Sequence, residues 1–451
     1  MHESHTVSEE RFEFTSGIRN KIILVGIIGI VLFALGVFMA GMGGNEGHGS
    51  GHGSISATSD LVASVEAVPA EAEGTGHEGG NLVVKRIITS LWHNNVFFTG
   101  IGIIGLLFIA IQYAAQAGWS APIKRIPLAI GHWIPFAGLI MLVIYFAGSH
   151  DLFHWTHKYL YADGETGDEI LKGKQAYFFW PLAGGEFPVF YIFRMVAFFA
   201  LWFLFFKWIK KEMLSEDIDG GTKHWYSARV YSTVFIIIFA VSSSVAAWDW
   251  VMSIDPHWFS TMMGWYVFAS WWVTGLSVIT LILAYLKDAG YLKMVNANHL
   301  HDLGKFIFGF SIFWTYIWFS QFMLIYYAHI PEETVYFVLR KTVSPYNWIF
   351  YVNIVLNFVL PFLLLMPRDS KRHGAMLKVV CPIIIVGHWF DFYNMITPGI
   401  MKYEGSLGLL EIGLALIFIA AFLFIVLSSL TKFPLVAKNH PMMAESLNHH
   451  I

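Results

Sequence analysis

The chain has 451 residues, of which 56% are hydrophobic and only 13% charged, and its net charge is −3. Because about a quarter of the residues in ordinary globular chains are charged, this composition excludes a water-soluble protein and indicates a polytopic membrane protein. The charge does not suggest a nucleic-acid partner, and the single cysteine, Cys381, excludes an internal disulfide, a cysteine-ligated iron–sulfur cluster and a C-x-x-C-H haem attachment.

Ten segments are apolar over the roughly 20 residues that a transmembrane helix needs. They are residues 21–42, 94–116, 127–148, 189–208, 228–250, 262–286, 305–327, 347–366, 376–397 and 407–430, and we call them spans 1 to 10. The residues before span 1 are polar and lack the pattern of a cleaved signal peptide, so we expect span 1 to remain as an anchor. The sequence predicts an all-α protein with ten transmembrane helices.

Lysine and arginine are distributed unequally between the two sides of these spans. If the N-terminus is cytoplasmic, the cytoplasmic segments hold 19 of these residues and the other side holds 8. The excess of basic residues inside predicts that both termini lie in the cytoplasm.

The connecting segments differ in composition. Residues 43–93 form a linker that is rich in Gly and His near its start, and His48 and His52 there lack a second cluster of metal ligands. The predicted organisation is a cytoplasmic tail (1–20), span 1 (21–42), a periplasmic linker (43–93), a first four-helix bundle (94–250), a second (251–397), span 10 (398–430) and a cytoplasmic tail (431–451).

The two predicted bundles share sequence features in the same order. "WDWVMSIDP" (248–256) ends span 5 and "WFDFYNMITP" (389–398) ends span 9, so that Asp249 and Asp391 each lie seven residues before a proline. "PVFYIFR" (188–194) matches "PYNWIFY" (345–351), and "IYFAGSHD" (144–151) matches "IYYAHIPE" (325–332). Four spans per unit keep both copies in one orientation, so the sequence predicts a parallel repeat of spans 2–5 and 6–9, flanked by spans 1 and 10.

Ionisable residues inside spans are costly and commonly functional. The candidates for a proton path are His132, Arg194, Asp249, His388, Asp391 and Glu411. His388 and Asp391 are three residues apart and share a helix face, where they could relay protons or form a structural hydrogen bond. His132 and His388 differ in depth by about 10 Å, which disfavours a haem held between them.

Asp249 and Arg194 each permit two interpretations. Asp249, at a helix C-terminus between Trp248 and Trp250, is either an interfacial aspartate in an aromatic belt or a site that accepts protons. The matching Asp391 favours the second interpretation. Arg194 either extends to the interface or is buried against a carboxylate, for which Asp249 and Asp391 are the candidates.

Polar residues also follow spans 5 and 7 on the predicted periplasmic side. These candidates for quinol binding or docking are Trp248, Asp255, His257, His329, Glu332 and Glu333. The alternative is an ordinary solvated loop. Ser242, Ser243 and Ser244 could form a water path in span 5 or serve only close helix packing.

Two longer stretches, "AAWDWVMSIDPHWFSTMMGWYVFASWWVTG" (246–275) and "TYIWFSQFMLIYYAHIPEET" (315–334), carry a family resemblance. They resemble the NrfD-like, or polysulfide-reductase-like, membrane subunits that interact with quinol, as found in alternative complex III, a quinol:cytochrome c oxidoreductase. The resemblance covers about residues 20–430. It implies two parallel four-helix bundles and no cofactor bound by this chain.

The resemblance also implies a location in the bacterial inner membrane. It further implies a set of partners. These are a sister NrfD-like membrane subunit, a periplasmic iron–sulfur subunit, haem c subunits, a terminal oxidase and lipids. Quinol is then the expected substrate of the complex, with iron–sulfur clusters and haem c on the partner subunits. This chain would contribute to quinol interaction, proton conduction or assembly.

Two other functions compete with this interpretation. One is a scaffold subunit without an active quinol site. The other is a secondary transporter, which internal repeats and intramembrane charges also fit. Pro256, Pro331 and Pro398 lie at predicted helix ends rather than at mid-membrane breaks, which weighs against transport.

Overall fold

The computed structural model describes residues 10–43, 78–164 and 167–449. These residues form helices and no strands, and ten helices are long and apolar enough to cross a membrane. The predicted all-α architecture with ten spans is therefore confirmed. The linker histidines His48 and His52 lie outside the described residues.

The ten observed spans correspond one to one with those predicted. They are Ser16–Met42, Leu82–Ala114, Arg125–Leu152, Val189–Asp219, Lys223–Ile254, Met263–Asp288, Ala297–Ala328, Tyr346–Leu365, Gly374–Glu404 and Leu409–Leu430. Most are longer than predicted because the helices continue through polar residues beyond the apolar segments. The shorter helices Glu169–Phe179 and Pro331–Thr342 lie between spans.

Two predicted boundaries were wrong. The helix of span 2 begins at Glu78, inside the segment predicted to be a linker up to residue 93. Lys85 and Arg86 gave that segment a polar appearance, and Arg86 is paired with Glu411 of span 10. Pro398 lies within the helix Gly374–Met401, three residues before its end, rather than beyond it.

For description, spans 2–5 are called the first helix group and spans 6–9 the second, after the predicted repeat. Span 2 contacts spans 3 and 5, and span 4 contacts the same two, which closes the first group. Span 6 contacts spans 7 and 9, and span 8 contacts the same two, which closes the second. The two groups are packed together, since span 2 contacts spans 6 and 9 and span 5 contacts span 6, and spans 2 and 6 are the most buried. The equivalence of the groups as a duplicated unit stays a prediction.

Span 1 packs mainly on span 10, outside both groups. Glycines allow the two backbones to approach closely. A Cβ atom added to Gly36 would lie 2.3 Å from the backbone nitrogen of Leu410, and one added to Gly413 would lie 2.4 Å from that of Phe33. Small residues at such crossings are a common device of membrane helices.

Both ends of the described chain lie on one face, which we call the terminal face. There the backbone N–H of Leu435 donates to the carbonyl of Glu10 at 2.9 Å. The connections between spans 3 and 4, 5 and 6, 7 and 8, and 9 and 10 lie on the opposite face. Lys174 reaches the carbonyl of Pro256 there, at 2.5 Å.

Residues 431–449, predicted to be a tail, are instead docked across the terminal face. Phe433, Leu435 and Val436 are buried in the core. His440 lies 2.9 Å from the Lys124 amine, and the carbonyl of His449 accepts hydrogen bonds from Asn296 and Asn298. The segment therefore links the first helix group to the second.

Acidification is expected to loosen this docked segment. Burial, together with the nearby charges of Lys124 and Arg125, lowers the pKa of His440 from 6.5 to about 2. The docked state thus requires neutral His440, and its stability falls as the pH drops below 6.5. At pH 5 the loss should be about 2 kcal/mol, at about 1.4 kcal/mol per pH unit.

Hydrogen exchange of residues 433–449, corrected for intrinsic rates, measures this loss. Exchange should rise between pH 7 and pH 5 in the native chain and much less in His440→Asn, which cannot titrate. Equal pH dependence in both proteins would contradict the assignment.

Candidate functional site

Asp249 forms a buried ion pair with Arg194. Nε of Arg194 donates to Oδ2 of Asp249, and Nη2 donates to Oδ1, both at 2.8 Å. Nη1 donates to the carbonyl of Tyr177 at 2.6 Å. Asp249 is 1% exposed and the Arg194 side chain 9%. Of the two interpretations of Arg194, the structure selects the buried pair, with Asp249 as the partner.

The surroundings of this pair are aromatic and tightly bonded. The guanidinium of Arg194 lies over the rings of Tyr177 and Phe190, at 4.1 and 4.7 Å. The hydroxyls of Tyr191 and Ser253 donate to the backbone carbonyl of Asp249. All three guanidinium nitrogens of Arg194 donate hydrogen bonds. The ion pair is therefore held in place and carries no net charge.

The tryptophans beside Asp249 do not form an interfacial belt. Trp250 is fully buried and stacks on Phe199, and its carbonyl accepts the indole N–H of Trp92 at 2.9 Å. Trp248 is half-buried. Ser242 accepts the indole N–H of Trp202 at 2.9 Å, which is a packing role.

Asp391, the matching carboxylate of the second group, has different partners. It is fully buried and accepts hydrogen bonds from four neutral side chains. The donors are the hydroxyls of Tyr266 and Ser270, the indole of Trp314 and the amide of Asn353. The residue that matches Arg194 here is Tyr351, which is 55% exposed.

His388 lies one turn from Asp391 on the same helix. Its Nδ1 is 3.6 Å from Oδ2 of Asp391, and the side chain is fully buried. Neither ring nitrogen forms a hydrogen bond with any residue in the described part of the chain. The imidazole and the indole of Trp314 pack nearly at right angles, with ring centroids 5.4 Å apart. The structure therefore brings the predicted pair together without a close hydrogen bond.

A short polar chain continues from Asp391 along span 8. Asn353 donates to Asp391 and accepts from the amide of Asn357, and both asparagines are buried. Asn357 lies in a π-helical turn, Val355–Val359. Such turns re-aim side chains and are frequent at functional sites. The amide oxygen of Asn357 has no hydrogen-bond partner among the described residues.

A small cavity lies between Asp391 and the opposite face. It provides about 20 Å³, enough for an ordered water, and Tyr266, Gln321 and Arg340 are among its lining residues. The amide nitrogen of Gln321 is buried without a hydrogen-bond partner in the described chain. Arg340 is 2% exposed and donates to the carbonyls of Asn394, Met395 and Tyr336.

Asp255 lies in an ion cluster on the opposite face. It is 3.0 Å from the Lys402 amine and 3.7 Å from Arg340. Burial alone would raise the pKa of Asp255, but Lys402 and Arg340 together outweigh burial and hold that pKa below its usual range. Asp255 is therefore an anchored anion that ties the ends of spans 5 and 9 together.

The other candidates on this face do not converge on one site. His257 pairs with Asp168, which caps the helix Glu169–Phe179. His329 and Glu332 are exposed, and Glu333 is half-buried in the first turn of the helix Pro331–Thr342. The polar residues predicted to bind quinol or to dock a partner are thus divided between an ion cluster and an exposed edge.

Glu411 and His132 lie in two further places. Glu411 accepts Nε and Nη2 of Arg86 at 3.1 and 2.8 Å, and it also accepts the backbone N–H of Gly408 at the start of its own helix. His132 lies near the terminal face, with Nδ1 3.1 Å from the carbonyl of Leu128 and Nε2 2.7 Å from Nζ of Lys210. Of the six predicted proton-path residues, only His388 and Asp391 lie side by side in the core without an ion pair or hydrogen bond to a lysine or arginine in the described chain.

Sequence reasoning missed the four neutral donors to Asp391, Asn353 among them, as well as Asn357 and Arg340. The two asparagines carried a signal, because polar residues four apart in an apolar span share one helix face. Arg340 carried none, since it appeared to be a loop residue beside Lys341. No protein-family model and no curated protein matches this sequence.

Proposed function

We propose that this chain is the F-type membrane subunit of an alternative complex III, in the inner membrane of a bacterium with both termini in the cytoplasm. We propose further that the second helix group conducts protons. The motifs at 246–275 and 315–334 support the assignment to this family. The terminal face is then cytoplasmic and the opposite face periplasmic, where the partner subunits with iron–sulfur clusters and haem c would dock.

One observation carries the proton role. Asp391 is a buried carboxylate with four neutral donors, and its nearest group able to bear a positive charge in the described chain is His388, at 3.6 Å. An uncompensated buried anion is costly, so a carboxylate with no lysine or arginine beside it is a candidate to exchange a proton. His388, 3.6 Å away and without a hydrogen bond of its own in the described chain, is the nearest group to pass that proton on. Asp249 is not such a candidate because Arg194 holds it.

Polar groups on both sides of Asp391 would carry protons to it and away from it. Asn353 and Asn357 extend from Asp391 toward the terminal face, and the cavity beside Tyr266 and Gln321 extends toward the opposite face. At about 20 Å³ that cavity has room for water but not for a quinol ring. The geometry beside Asp391 therefore supports proton conduction rather than quinol binding at this place.

Purification from the native membrane in mild detergent tests the assignment. The chain should be recovered with haem c and iron–sulfur subunits, and the preparation should oxidise quinol with cytochrome c as the acceptor. Recovery as a lone oligomer that takes up a solute would instead favour the secondary transporter. In the assembled complex, substitutions at Asp391 and His388 test the proton role, and unchanged turnover and proton release would leave only a scaffold.

A further inference from the structure

A second cavity lies near the terminal face, between spans 3, 4 and 10, and the proton path does not use it. Its volume is about 450 Å³. The lining residues are His132, Pro135, Phe136, Phe203, Phe206, Lys207, Lys210, Phe424, Ile425, Ser428, Ser429 and Lys432. Its size suits a small molecule or part of a lipid.

The charged part of this lining is entirely basic. Lys207 and Lys210 lie one turn apart on span 4, and Lys432 follows span 10. The lining residues include no carboxylate, and Ser428 and Ser429 add hydroxyl donors. A negatively charged group is therefore the complementary ligand.

The remaining lining is apolar and open to the surroundings of the helices. Phe136 is 47% exposed, Phe424 is 42% exposed and Phe203 is 36% exposed. Lys207 lies about 27 Å from the start of span 4, at ~1.5 Å per residue, which places it where a hydrocarbon core of ~30 Å ends. The cavity thus places cations at headgroup depth above an aromatic wall at acyl-chain depth.

His132 orients one of the cations. The Lys210 amine lies 2.7 Å from Nε2 of His132, while Nδ1 faces the carbonyl of Leu128 at 3.1 Å. Nδ1–H therefore donates to Leu128, and Nε2 accepts from Lys210. The imidazole also packs nearly at right angles to the ring of Phe206, with ring centroids 4.9 Å apart. In this arrangement His132 is a positioning residue for Lys210.

We propose that this cavity binds one anionic phospholipid from the leaflet on the terminal face. The lysines would contact the phosphate of its headgroup, and the exposed phenylalanines would contact its acyl chains. Basic pockets between helices on the cytoplasmic side are suited to such headgroups. The proposal is independent of the proton role.

Lipid retention in nanodiscs tests whether the cavity binds an anionic phospholipid. The protein, purified with any native partner subunits, is delipidated and returned to phosphatidylcholine nanodiscs that contain a minor fraction of phosphatidylglycerol. Retained lipid is then quantified by native mass spectrometry. The wild type should retain phosphatidylglycerol, and Lys207→Gln/Lys210→Gln/Lys432→Gln should bind it about a hundredfold more weakly, at about fivefold per surface lysine.

A charge-matched variant provides the control. Lys21, Lys223 and Lys293 are exposed residues outside the cavity lining and near the same face, and their joint replacement by Gln should leave retention unchanged. Equal retention by the cavity variant would overturn the proposal. The proposal would also be overturned if the wild type retained phosphatidylcholine as strongly as phosphatidylglycerol. Displacement of the bound phosphatidylglycerol by inorganic phosphate or by a quinone would overturn it as well.

Discussion

Replacing Arg194 by Gln is expected to lower the free energy of unfolding by about 3–5 kcal/mol, the usual cost of removing one partner of a buried ion pair. Arg194 is the only described cation bonded to Asp249, and both side chains are buried. Loss of the guanidinium would leave the carboxylate among Tyr177, Tyr191 and Trp250 without a counter-charge. Thermal unfolding of the purified protein in one fixed detergent measures the change.

The double variant Arg194→Gln/Asp249→Asn separates loss of charge from loss of packing. It removes both charges and should recover much of the lost stability, because no uncompensated ion remains. Arg86→Gln provides a less buried comparison, since Arg86 is 15% exposed where it pairs with Glu411, and its cost should be smaller. If Arg194→Gln were as stable as the wild type, or if the double variant were less stable than Arg194→Gln and Asp249→Asn alone, the fixed-pair assignment would fail.

Replacing Asp391 by Asn is expected to reduce proton-coupled quinol oxidation in the assembled complex by about a hundredfold, the lower end of what a positioned proton-transfer group contributes. Asn retains the size of Asp391 and can still accept some of its hydrogen bonds, but it cannot carry a proton. His388→Phe should have an effect of the same order, because it removes the other group of the pair. Quinol:cytochrome c turnover and proton release per turnover in proteoliposomes measure both effects.

Three controls distinguish a proton role from a structural one. Asp391→Glu should restore part of the activity, since it returns a carboxylate. Ser242→Ala removes a buried hydrogen bond to Trp202 in the other helix group and should leave proton release unchanged. A solvent isotope effect on turnover should change in Asp391→Asn. If only thermal stability changed while turnover and proton release stayed normal, Asp391 would be structural.

The repeated motif predicted where Asp249 and Asp391 lie in their helices, but not which side chains would pair with each of them. The sequence places both carboxylates seven residues before a proline, yet their charge states depend on other helices. Arg194 neutralises Asp249 from span 4, and its match in span 8 is Tyr351. In place of a cation, Asp391 receives hydrogen bonds from four neutral side chains that come from three other spans. They are Tyr266, Ser270, Trp314 and Asn353.

The sequence by itself determined the number of spans and their order. A bilayer imposes a length of apolar residues on every crossing helix, and that length is a local property of the chain. The same local reasoning located His388 and Asp391 on one helix face. It failed at the helix start near Glu78 and at the docked segment 431–449, because residues far away in the sequence neutralise or bury those segments.

Only the tertiary structure decided which charges are paired. Arg194 had two possible carboxylate partners, and the packing of span 4 against span 5 selected Asp249. Lys210 and His132 had no visible relation in the sequence, yet spans 3, 4 and 10 bring them to one cavity. Ion pairing in a membrane depends on side-chain depth and helix rotation to within about an ångström, and neither is set by hydrophobic length.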